Sequence, residues 1–214
     1  MHRTVTFTRM AGAVMAAGLL APPTAAGAGG DSHVVVRTYD RTAVAPADRT
    51  AALAVATKIL EDAGLEIAWL ACEAALAPGG THPCLTALEA NELAVRLVRR
   101  PPPSGARQMA LGYSLVETEV PFGSLATIYV DRVATMAAAS TVDPPTLLGR
   151  AIAHEVGHLL LATAAHARTG VMRASWSPHA IRRDRPGDWS FTATEAQALR
   201  HAVRRRTARQ VQTW

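Results

Sequence analysis

The chain has 214 residues, 49% of them hydrophobic and 18% charged, with a formal charge of +5 at pH 7. That length supports one domain with a substantial core and excludes two ordinary domains. Only 5% of the residues are aromatic, so the core must be mostly Ala, Leu, Val and Ile; the alanine richness also reflects a compositional bias and is discounted as a helix signal.

At the N-terminus, Arg3 and Arg9 accompany an uninterrupted small-to-apolar stretch over residues 10–20, which Pro22 and Pro23 stop, and Ala26-Gly27-Ala28 offers an A-x-A cleavage site. This is the layout of a secretory signal peptide, expected over residues 1–28, with residues 29–214 forming the mature domain. The apolar stretch is far short of the roughly 20 residues a membrane span needs. The expectation is a secreted or periplasmic protein with no stable membrane anchor.

The β-branched run at residues 33–40 reads as a strand. Pro46 opens a helix to about Ala63, stopped by Gly64. Residues 65–71 alternate and read as a second strand. Cys72 and Cys84 are the only cysteines. In an oxidising compartment a disulfide between them is the default, with Pro78-Gly79-Gly80 and Pro83 turning the chain between them. Closing that loop stabilises the fold by roughly 3 kcal/mol in the chain-entropy model. Residues 93–98, 109–116 and 125–130 read as three further strands, the first two separated by the breaker Pro101-Pro102-Pro103-Ser104-Gly105. Asp143 caps a helix over residues 146–161, with Pro144 and Pro145 tolerated at its start. A loop runs over residues 162–188, and the capping box Thr192-x-x-Glu195 opens a final helix to about Arg206. The order implies an α+β, α/β-like domain.

The excess of base is C-terminal: Arg182, Arg183, Arg185, Arg200, Arg204, Arg205, Arg206 and Arg209. The run has no interleaved aromatics and no nucleic-acid motif accompanies it, so it reads as a solvated helix face with no nucleic-acid partner.

One segment carries chemistry: His154-Glu155-Val156-Gly157-His158. Two His four apart on a helix share a face, their β-carbons about 5–6 Å apart. Both imidazoles can then reach one Zn²⁺ at about 2.0–2.1 Å. Glu155 points past the metal, where it can take a proton from an activated water. Burying two His and a Glu beside Ile152, Val156, Leu159 and Leu160 without a metal costs several kcal/mol, which argues against a purely structural role. A catalytic zinc site usually has three protein ligands. The residues alone leave the third among His166, His179, Asp184, Asp188 and Glu195. His166 is nearest, but on a straight helix it lies about 12 Å beyond His158. To bring it back, the chain must leave the helix near Ala162, where a left-handed cap costs alanine roughly 1–2 kcal/mol. Glu195 is already accounted for by its capping box.

His154-Glu155-x-x-His158, a later His166 and then Gly170-Val171-Met172 resemble the metzincin clan of zinc metallopeptidases. The string HEVGHLLL, His166 and Gly170-Val171-Met172-Arg173 is also similar to that of a group of exported bacterial proteins. The metzincin resemblance implies a single catalytic domain. Its twisted mixed sheet of about five strands would carry a zinc helix, a backing helix and a C-terminal helix. It implies His154, His158 and His166 as ligands of one zinc ion, Glu155 as general base, and Met172 as the methionine of a turn beneath the metal. It implies a peptide or protein substrate paired with an edge strand, for which residues 109–116 are the candidate, and a loop wall bearing Trp176, His179 and Trp189. The chain departs from the clan pattern in three ways. Its third His lies eight residues after the second rather than six, where Ala164 stands, and Ala162 is the nearest counterpart of the usual glycine. The tyrosine that some branches of the clan carry after the methionine turn is also absent. The expected protein is therefore a monomeric, exported zinc metallopeptidase; the alternative is a non-catalytic zinc-binding secreted protein.

Overall fold

The computed structural model describes residues 32–72, 82–100, 110–117 and 122–212. The expected signal peptide, the Pro78-Gly79-Gly80 turn and the Pro101–Gly105 breaker lie outside them. Strands β1 (His33–Asp40), β2 (Glu66–Ala71), β3 (Glu92–Val98), β4 (Gly112–Glu117) and β5 (Phe122–Tyr129) form one sheet in the order β2-β1-β3-β5-β4. Four strands are parallel, and β4 runs antiparallel to β5 at one edge. The edge position expected of the fourth strand is thus the one it occupies.

Helix α1 (Pro46–Asp62) makes the crossover from β1 to β2, with Pro46 in its first turn and Gly64, at φ +83°, just beyond its end. Helix α3 (Pro144–Leu161) is the centre of the molecule. Asp143 caps it by accepting from the Thr146 N–H at 3.1 Å. Its Leu147, Leu148, Ile152, Val156, Leu159 and Leu160 are all buried, and it packs on β3, β4, β5, α1 and two further helices, α2 (Val130–Ser140) and α5 (Ala193–Gln212). A helix apolar on nearly every side must be central, because no face is left for water.

The sequence reading missed α2 (Val130–Ser140) and α4 (Pro178–Arg183). Helix α2 begins directly at the end of β5, so Val130, read as a strand residue, is already helical. Its N-cap Tyr129 makes no side-chain capping bond, and Thr141 ends it in the left-handed region at φ 51°. With no cap signal, only the discounted Ala-rich run marked it. Helix α4 lies in the stretch read as loop; Ser177 caps it by accepting from the Ala180 N–H at 3.1 Å. Helix α5 (Ala193–Gln212) opens as expected: Glu195 Oε2 accepts from the Thr192 N–H at 2.7 Å, and Thr192 Oγ1 accepts from the Glu195 N–H at 3.3 Å.

Cys72 and Cys84 are joined in a disulfide, their Cα atoms 5.6 Å apart. The segment after Cys84 lies over β1. There the buried Arg37 pairs with Glu92 and donates to the carbonyls of Thr86 and Ala87.

The C-terminal arginines are not one solvated face. Arg204 and Arg205 are exposed, but Arg206 is only 8% exposed. Arg206 donates to the carbonyls of Ala90 at 2.8 Å and Gly123 at 3.0 Å, clipping α5 to the ends of β3 and β5. Burial pulls its pKa down to about 10, so it remains charged at neutral pH. Arg206→Met should leave those carbonyls without their donor and lower stability by about 3 kcal/mol, read as a fall in the denaturant midpoint at unchanged slope.

Candidate metal centre

His154, Glu155 and His158 all project from α3. The helix ends when Ala162 adopts the left-handed conformation (φ 50°, ψ 46°), its N–H donating back to the His158 carbonyl. This is the turn that the chain needs to bring His166 back, and it is made without a glycine. The imidazole nitrogens then converge. The Nε2 atoms of His154 and His158 are 3.1 Å apart, and those of His158 and His166 are 3.3 Å apart. One nitrogen from each ring lies within 4.8 Å of the other two, close enough for all three to hold one ion.

The second ring nitrogen of two of these histidines is committed elsewhere. His158 Nδ1 lies 2.7 Å from the Thr163 carbonyl, and His154 Nδ1 lies 2.8 Å from the Val171 carbonyl. A carbonyl only accepts, so Nδ1 carries the proton and each Nε2 presents a lone pair. Two lone pairs 3.1 Å apart repel one another unless a cation lies between them. A proton is disfavoured as that cation. Burial lowers the His154 pKa to about 4, with the neighbouring His158 and His166 adding to the effect. Burial also lowers that of His158. Neutral, converging imidazoles fit a divalent metal ion.

Glu155 is 6% exposed. Burial raises its pKa to about 7, against the opposing hydrogen bond from Ser114. Ser114 Oγ lies 2.7 Å from Glu155 Oε2 and 2.9 Å from the Glu155 carbonyl. Gly112, two residues before Ser114, packs beside the same carboxylate: a β-carbon there would lie 2.9 Å from Oε1. Neither β4 residue was singled out from the sequence, because a lone Ser or Gly in a strand carries no positional signal.

Met172 is 1% exposed and is part of the core. It packs under α3, where a β-carbon on Gly157 would meet its Sδ at 2.7 Å. The turn is closed by Gly170 at φ +75° and by the Ala167 N–H donating to the Met172 carbonyl at 2.9 Å. The same turn supplies the Val171 carbonyl to His154.

The rival ligands are occupied or remote. Asp184 pairs with Arg150, Asp188 with Arg183 at 2.8 Å, and Glu195 holds its cap. His179 is exposed on α4 and outside the converging group. The loop wall also differs from expectation. Trp176 lines the cleft and meets the His154 ring edge-on at 5.4 Å. Trp189 is buried behind it, 5.2 Å from Trp176 and beneath the Arg150 guanidinium, and His179 does not line the cleft. The cleft, about 730 Å³, runs from Ala110 along β4 to Val116 and past the three His to Trp176 and Pro178.

No family model matches the sequence, and no match was found among the curated proteins. Solved structures do match. A zinc-dependent peptidase from Methanocorpusculum labreanum superposes with a TM-score of 0.51 at 12% identity, over 77% of this chain and 99% of that one. Archaemetzincin from Methanopyrus kandleri superposes with a TM-score of 0.50 at 14% identity, over 80% and 96%. The likeness is one of fold. It agrees with the α+β architecture and five-stranded mixed sheet expected from the sequence.

Ala162 holds a conformation that costs an L-residue roughly 1–2 kcal/mol. Ala162→Gly removes that strain but gives back some unfolded-state entropy. The expected net gain is about 0.5–1 kcal/mol, measured as a higher denaturant midpoint, with metal content unchanged.

Proposed function

We propose that this chain is an exported zinc-dependent metallopeptidase that hydrolyses peptide bonds in a peptide or protein substrate. The observation that carries the reading is the convergence of three imidazoles beside a buried carboxylate, in a cleft bounded by an edge strand. His154, His158 and His166 are its zinc ligands, Glu155 its general base and Met172 the methionine beneath the site. Zinc is favoured over other imidazole-binding metals because structures sharing the fold include a zinc-dependent peptidase and an archaemetzincin. Residues 1–28 act as the signal peptide and 29–214 form the mature, monomeric domain. Export is supported by the disulfide. Among the described residues no helix is long and apolar enough to cross a membrane.

A peptide laid along β4 extends the sheet by one strand, binding through main-chain hydrogen bonds. Its scissile bond then lies over the three His. When bound, the metal supplies Lewis acidity to the attacking water and the carbonyl. Glu155 accepts the proton released by the water and returns it to the leaving amine. Its buried, raised pKa suits both steps near neutrality. Trp176 walls the cleft beyond His154.

The test is metal analysis of the purified mature protein followed by peptide-library cleavage. One zinc per chain is expected, with cleavage that stops on chelation and returns with zinc. Zinc without cleavage would make the protein a non-catalytic zinc binder. No zinc, and none taken up at neutral pH, would end both readings.

A further inference from the structure

The carboxylate of Glu155 lies against β4, and the strand treats its two oxygens differently. Ser114 and Gly112 are two apart, so both face α3. Ser114 sets a hydroxyl 2.7 Å from Oε2. Gly112 packs against Oε1 but puts no side chain there, where a β-carbon would lie 2.9 Å away, and Oε1 has no hydrogen-bond partner among the described residues. One oxygen is covered by a donor and the other is left open beside the cleft, which Gly112, Ser114 and Glu155 all line. The serine hydroxyl has one proton, and its second acceptor, the Glu155 carbonyl at 2.9 Å, belongs to the same residue. Either bond ties Ser114 to Glu155.

We infer that Ser114 is a positioning residue for the general base: it occupies Oε2 from the edge strand, so that Oε1 takes and returns the proton. This rests on the peptidase reading above. In the step, the water O–H bond breaks and the proton goes to Oε1 while the hydroxide oxygen bonds to the scissile carbon. As the C–N bond breaks, the proton passes from Oε1 to the amine nitrogen. Ser114 keeps its own proton throughout. The strand that pairs with substrate would then also orient the base, so that both are set by one element.

The test compares wild type, Ser114→Ala and Ser114→Thr as full mature, zinc-loaded proteins. Ser114→Ala should keep its zinc and melting temperature, lose about tenfold in kcat and hold KM within about twofold. Ser114→Thr, which keeps the hydroxyl, should recover most of the loss. A second readout needs no activity. In the metal-free protein in alkaline buffer, the infrared carboxylate band lost in Glu155→Gln should shift in Ser114→Ala and return in Ser114→Thr. An unshifted band, an unchanged kcat or a loss confined to KM overturns the inference. Absence of cleavage by wild type instead overturns the peptidase reading, whatever the band does, and with it any catalytic role for Ser114.

Discussion

Glu155→Gln is expected to retain its zinc and lose on the order of a thousandfold in kcat/KM. The amide has the same shape as the carboxylate, and its carbonyl oxygen can still accept from Ser114. What it lacks is basicity. Glu155 is absent from the converging imidazole group, so its replacement leaves the three imidazoles in place. Removing a carboxylate that burial already disfavours as an ion should not lower the melting temperature. The measurements are zinc per chain, melting temperature and kcat/KM on a peptide cleaved by wild type. A variant that cleaves at a third of the wild-type rate or faster would show that another group takes the proton.

His166→Ala is expected to weaken zinc binding by more than about a hundredfold, beyond the usual loss on removing an outer-shell partner of a ligand. Glu195→Ala should leave zinc untouched. Its carboxylate is engaged by the Thr192 N–H and hydroxyl, at 2.7 and 2.9 Å, so its loss should cost about 1 kcal/mol of helix capping. Competition against a chelator of known affinity separates the two. Zinc retained by the His166 variant and lost from the Glu195 variant would reverse the assignment. The same pair of proteins tests whether the left-handed turn at Ala162 delivers His166 in solution.

The spacing of His154, Glu155 and His158 was readable because a helix converts a difference of four residues into a shared face. Strand and helix order was readable for the same kind of reason: β-branched runs, Gly64, Asp143 and the Thr192–Glu195 box each act within one or two turns of chain. Helix α2 was missed because it starts without a capping side chain and is written in alanines that composition had discounted. Arg206 was misread as solvated because charge in a sequence says nothing about which carbonyls a helix end will meet. The wall of the cleft was overcounted, since three residues of one stretch went to three environments: Trp176 to the cleft, Trp189 to the core and His179 to solvent.

By itself the sequence determined the α+β class, two imidazoles sharing a helix face and the carboxylate next to the first of them, because those depend only on local periodicity. The tertiary structure decided the rest of the centre. It brought His166 back through a strained alanine and pointed two backbone carbonyls at Nδ1 atoms. It also laid Gly112 and Ser114, more than forty residues away in sequence, against Glu155. These contacts join segments whose meeting depends on how β4 and the turn after α3 pack onto the same helix, and no local pattern encodes that.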